Sequence, residues 1–173
     1  MPLTSSFPAV ADSLAKWAIA HYKVLDFQLF FPTTRQETTS MAVTQGLHHF
    51  GLTVPDLAAT RSFFTDTLGF NQIGEVPDYP AVFLSDGSVM LTLWQATNPD
   101  QATAFDRKNN IGLHHFALKV NSLDTLHSAH QTLMNTAGVA IEFAPQPVGG
   151  GPSHHMMFTI PGGIRMELFA PGA

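Results

Sequence analysis

The sequence predicts an α+β fold in which two tandem βαβββ modules form a curled mixed sheet around a metal cleft. Three observations predict it. A nine-residue segment occurs twice, each copy is followed by the same order of helix-like and strand-like runs, and a glutamate in the last run shares a strand face with the repeated histidines. Gly46-Leu47-His48-His49-Phe50-Gly51-Leu52-Thr53-Val54 returns as Gly112-Leu113-His114-His115-Phe116-Ala117-Leu118-Lys119-Val120, identical at seven of nine positions. Repetition at this spacing marks one supersecondary unit used twice.

Residues 1–45 precede the repeat and carry no assigned catalytic role. Within them Leu14, Trp17, Ala18, Tyr22 and Leu25 follow helical spacing and predict a short amphipathic helix. Met41, just ahead of the first copy, leaves open that these residues extend upstream of a natural start. The first module spans 46–94. Pro55-Asp56 opens a helix-like stretch that ends near Gly69, with Asp56 as its N-cap. Three strands follow, Phe70 to Val76, Ala81 to Ser85 and Ser88 to Trp94, the last two joined by an Asp86-Gly87 hairpin. Residues 95–111 are a polar linker. The second module spans 112–173, with Ser122 as N-cap and a helix ending near Gly138. Its strands are Val139 to Phe143, His155 to Ile160 and Ile164 to Phe169, with Pro161-Gly162-Gly163 as the matching turn. Residues 46–173 are expected to form one structural domain.

Composition narrows the function. Eight Lys and Arg against a net charge of -5 leave no basic surface for nucleic acid or anionic lipid. No apolar run approaches the roughly 20 residues of a bilayer span, and Lys16 and His21 interrupt anything resembling a signal peptide. The expectation is a cytoplasmic protein with a small-molecule substrate. Only 12% of the residues are charged, about half the usual share, which predicts surface hidden in a homodimer or an apolar pocket. Cysteine is absent, so any metal is held by nitrogen and oxygen.

Strand alternation separates the two histidines of each pair. Phe50, Leu52 and Val54 share a face with His48, so His49 points away with Gly51 and Thr53. Phe116, Leu118 and Val120 likewise leave His115, Ala117 and Lys119 on the other face. In the last strand Ile164, Met166 and Leu168 face the core, and Arg165, Glu167 and Phe169 face the opposite way. His49, His115 and Glu167 thus form a candidate two-His, one-carboxylate metal set with open positions for substrate. Iron(II) suits it best, and Mn, Ni, Co and Zn also accept such donors. The competing reading has the histidines kept for packing and the glutamate facing water.

These residues and the repeat resemble the vicinal oxygen chelate superfamily of glyoxalase I, extradiol dioxygenases, methylmalonyl-CoA epimerase and bleomycin-resistance proteins, over about Gly46 to Pro171. The resemblance implies four possible ligand positions, on the first and last strand of each module. Aligning Asp86 to Leu91 with Gly162 to Glu167 sets Leu91 opposite Glu167, so the fourth ligand is missing. Glyoxalase I uses carboxylates from both halves, and Leu91 cannot abstract a proton. Extradiol dioxygenases share the His, His, Glu distribution, but this chain has Met157 and Ile160 where they carry a tyrosine and an acidic or small polar residue. The resemblance therefore implies a metal-dependent dioxygenase or a lyase or isomerase. The alternative is a metal-free small-molecule binder of the bleomycin-resistance kind. His155, after the Gly149-Gly150-Gly151-Pro152 loop, is the candidate acid/base residue, while Arg107, Trp94 and Phe169 are candidates for substrate binding.

Overall fold

Each half of the described chain opens with a strand and enters its helix through a polar cap. Strand β1 covers His49–Val54 and helix α1 covers Leu57–Ser62, with Asp56 Oδ1 accepting from the Ala59 amide at 2.9 Å. Helix α1 continues into a π-helical turn, Phe63–Thr67, that buries both Phe63 and Phe64. Strands β2 (Asn71–Val76), β3 (Ala81–Ser85) and β4 (Met90–Gln95) complete the half. A short 3-10 turn, Pro99–Gln101, lies in the linker. The second half repeats the order with β5 (Phe116–Lys119), α2 (Leu123–Leu133), β6 (Ala140–Pro147), β7 (His154–Thr159) and β8 (Arg165–Ala170). Ser122 caps α2 by accepting from the Thr125 amide at 3.1 Å, which satisfies an otherwise orphaned donor.

The structure is a computed structural model that describes residues 42–44 and 46–172. Thr44–Ala173 form one compact unit. The helix expected around Leu14, Trp17, Ala18, Tyr22 and Leu25 lies outside the described residues, as does Met41.

The fold is α+β as the sequence predicts, but the strands form two four-stranded sheets that do not close into one. Their orders are β1-β4-β3-β2 and β5-β8-β7-β6. In each the opening strand pairs in parallel with the last, and the remaining pairs are antiparallel. One apolar cluster joins the helix-facing sides of both sheets: Leu52, Val54, Leu84, Leu91 and Leu93 from the first half, and Met156, Phe158, Met166 and Leu168 from the second. Aromatic contacts cross between the halves, Phe50 to Phe116 at 4.9 Å and Phe63 to Phe158 at 6.4 Å between ring centroids. Gly162, at φ 93°, lies where a Cβ would stand 2.9 Å from Pro55 Cδ, so the turn of the second half reaches the first only because it has no side chain.

Candidate functional site

The register of the strands fixes which residues share the faces turned away from the helices. In the second half, Ala117 pairs with Glu167, Met157 with Glu167, His155 with Phe169 and Thr159 with Arg165. Directly paired residues lie on one face. His115, one residue before β5, reaches Glu167 from the side: its Nε2 stands 3.0 Å from Glu167 Oε2. His155 Nδ1 meets the other carboxylate oxygen, Oε1, at 2.7 Å. Glu167 is buried and clasped between two imidazoles, and Phe143 stacks against His155 at 5.0 Å between ring centroids.

The first half has no such centre. Gly51 pairs with Thr92 and Phe50 with Leu91, while Phe116 pairs with Met166 and Ala117 with Glu167. Thr92, not Leu91, therefore occupies the place of Glu167. Leu91 belongs to the buried apolar side with Met166. The fourth position is polar but carries no carboxylate. Thr92 Oγ1 accepts from Trp94 Nε1 at 3.0 Å, and a Cβ on Gly51 would lie 3.0 Å from that hydroxyl. Trp94 also packs on Tyr79 and Phe83, with centroids 5.1 and 6.1 Å apart, forming an aromatic patch.

A second repeated feature is the vicinal histidine pair itself. His48 Nδ1 lies 2.8 Å from His49 Nδ1, and His114 Nδ1 lies 2.7 Å from His115 Nδ1. In each dyad one Nδ1 donates to the other, which holds the ring of the second histidine and leaves its Nε2 for a further partner, Glu167 in the case of His115. Parity grouped His48 with the apolar residues, but it is exposed and precedes β1, where alternation does not yet apply. The doubled His-His was the signal for this arrangement.

A third cluster joins β8, β6 and the linker. Arg165 is buried, and its Nε donates to Glu142 Oε2. Arg107 donates to the other oxygen, Oε1, at 2.7 Å. Arg107 thus meets Glu142 in addition to water. The hydrogen bond from Arg165 chiefly holds the Glu142 carboxyl below its ordinary pKa of 4.5, against the opposing effect of burial. His114 is pushed below its ordinary value of 6.5, first by desolvation and then by the positive field of His115, Arg165 and Arg107. Alternation alone puts Arg165 on the Glu167 face without indicating a partner for it. Glu142 turns toward it because the ladder is irregular between Ile141 and Phe143, and a bulge re-aims side chains in a way a period-two pattern does not register.

Of the sequence-predicted residues, the structure brings His115, Glu167 and His155 together. His49 heads β1 opposite Met90 and makes no ion pair with Glu167 among the described residues. Among those residues no three His, Asp or Glu side chains are grouped as a complete ligand set. The donor pair that is assembled, one imidazole and one carboxylate, has the donor chemistry of an N/O-ligated ion at a spacing that a direct hydrogen bond also has. Two donors each about 2.1 Å from one metal at right angles stand about 3.0 Å apart, which is the His115 to Glu167 spacing. Phe169 lies half-buried opposite His155, and Trp94 lies in the aromatic patch of the other half. No helix among the described residues is long and apolar enough to cross a membrane.

Comparison with known proteins agrees with this architecture. A sequence model described as Glyoxalase/Bleomycin resistance protein/Dioxygenase superfamily matches residues 46–168. A 2-epi-5-epi-valiolone epimerase from Actinomyces sp is 26% identical over 144 residues, covering 70% of this chain and 77% of that protein. The 3-methylcatechol 2,3-dioxygenase of Pseudomonas putida is 35% identical over 88 residues, covering 50% of this chain but only 29% of the dioxygenase. Among solved structures, the glyoxylase/bleomycin resistance protein/dioxygenase domain from Frankia sp. EAN1pec aligns with a TM-score of 0.65 at 22% identity, over 75% of this chain and 99% of that one. That likeness shows the fold.

Proposed function

Because the chain belongs to the Glyoxalase/Bleomycin resistance protein/Dioxygenase superfamily, we propose that it is a metal-dependent enzyme acting on a small molecule with vicinal oxygen atoms, its ion held by His49, His115 and Glu167. The observation that carries this reading is the 3.0 Å spacing of His115 Nε2 and Glu167 Oε2, matched to adjacent positions around one ion. An ion bound there, Fe(II) by preference and Mn, Ni, Co or Zn as alternatives, supplies Lewis acidity or oxygen activation. His114 fixes the ring of His115 through its Nδ1, as a partner behind a ligand does. The His48 and His49 dyad repeats that geometry and presents the third donor. His155 steadies Glu167 through Nδ1, leaving Nε2 to take or give a proton.

Thr92 at the place of Glu167 supports a dioxygenase type of reaction ahead of an isomerisation that needs a carboxylate from each half. The partial identity with a catechol dioxygenase points the same way. Low charge content supports a homodimer as the working form.

Metal analysis of protein purified without an affinity tag and reconstituted with each ion tests the reading. One ion per chain is expected, with affinity falling at least about 100-fold in His115→Ala. No stoichiometric uptake of any of the five ions would sink it. The second reading, a metal-free binder of flat molecules, is favoured by the Trp94, Tyr79 and Phe83 patch. It requires ligand affinity that neither a chelator nor His115→Ala alters.

A further inference from the structure

Arg165 stands two residues before Glu167 on the same strand face, and it is only 8% exposed. A buried guanidinium is costly unless paired, and the pairing here is incomplete. Only Nε is taken, by Glu142. Among the described residues neither Nη atom has a hydrogen-bond partner. No buried side-chain nitrogen or oxygen among them lacks one, so both Nη atoms touch solvent. Glu142 is also shared, because its other oxygen holds Arg107. One carboxylate against two guanidinium groups leaves one positive charge uncompensated within the cluster. A tie between strands would need a single arginine to balance Glu142.

We propose that Arg165, anchored by Glu142 and backed by Arg107, is an anion-recognition site that binds a carboxylate carried by the small molecule acted on at Glu167. This rests on the preceding reading only for where the rest of the ligand lies. Residues two apart on a strand are about 7 Å apart, a span that one substituted ring bridges between a carboxylate at Arg165 and its oxygens near Glu167. A guanidinium whose Nε is fixed presents its Nη pair in one orientation, the arrangement that suits two-point recognition of a carboxylate. The first half has Met90 at the corresponding place, so the recognition belongs to the second half alone.

Catechol and 3,4-dihydroxybenzoate differ by one carboxylate and share the vicinal oxygens. Their affinities are to be measured by calorimetry on metal-free protein and on Co(II)-loaded protein under argon. In both forms the wild type is expected to bind the carboxylated ligand about ten-fold more tightly, and Arg165→Met to bring that ratio to about one. Glu142→Gln removes the competing charge and is expected to raise the ratio, which decides the matter if Arg165→Met does not fold. A wild-type ratio near one, a ratio unchanged in Arg165→Met, a ratio unchanged or lowered in Glu142→Gln, or no binding of either compound in either form would overturn the proposal. The dependence of catechol affinity on Co(II) reports separately on the metal reading.

Discussion

Matched through their registers, the two halves carry the same backbone plan and differ on one face. Toward the helices both present aliphatic and aromatic side chains, with Leu84 and Leu91 in one corresponding to Phe158 and Met166 in the other. Away from the helices, Ala81, Met90 and Thr92 of the first half stand where the second has His155, Arg165 and Glu167. The first half fills that surface with Trp94, Tyr79 and Phe83. Duplication preserved the face that folding needs and left the other to diverge, because only the helix-facing side is committed to the shared apolar core. The far side, buried as it is at Thr92, Arg165 and Glu167, is free to carry polar groups that find partners.

The sharpest way to break this comparison is to cut the supposedly equivalent faces. Phe158 and Leu84 are both fully buried at corresponding places. Phe158→Ala is expected to destabilise by about 3–5 kcal/mol and Leu84→Ala by about 2–5 kcal/mol. Urea unfolding followed by circular dichroism reads both. If either substitution costs under about 1 kcal/mol, that half does not contribute to a common core.

Much of this was legible before any coordinates. The repeat, the caps at Asp56 and Ser122 and the strand order are local properties, and alternation placed Glu167 on the His115 face because the ladders of β8 run without a register shift. What failed was register across a turn. Aligning on the glycines set Leu91 opposite Glu167, but residues 86–89 join one pair of strands and residues 160–164 the other. One extra residue slips the alignment by one and moves a side chain to the opposite face. The Glu142 link to Arg165 was likewise hidden, since a bulge has no periodic signature. The histidine dyads needed coordinates because ring orientation is set by contacts, not spacing.

The turns offer a finer test of how the halves meet. Gly162 and Gly87 both have positive φ, 93° and 89°, but a Cβ at Gly162 meets Pro55 while one at Gly87 meets nothing within 4 Å. Gly87→Ala is expected to cost about 1 kcal/mol from backbone strain alone. Gly162→Ala is expected to cost about 1 kcal/mol more, since Pro55 must yield. Equal shifts in the urea midpoint would mean that the second turn does not brace the first half.

The smallest effect expected is one of pH, and it belongs only to the second half. Glu142 faces Arg165 and Arg107, with His114 in the same field, and its carboxyl is held below the ordinary 4.5 chiefly by the Arg165 hydrogen bond. A depressed carboxylate pKa means that the unfolded chain takes up protons first. The stabilisation is therefore complete above 4.5 and is lost as pH falls through the lower, folded value. Glu142→Gln keeps the size of the side chain and removes the titration. Thermal melts taken from about pH 6 down to about pH 3 should show wild type ahead of the variant at the upper end and the gap closing toward the lower. Curves that stay parallel would show that the Glu142 charge adds nothing to the fold, and the asymmetry between the halves would then lie in ligand chemistry alone.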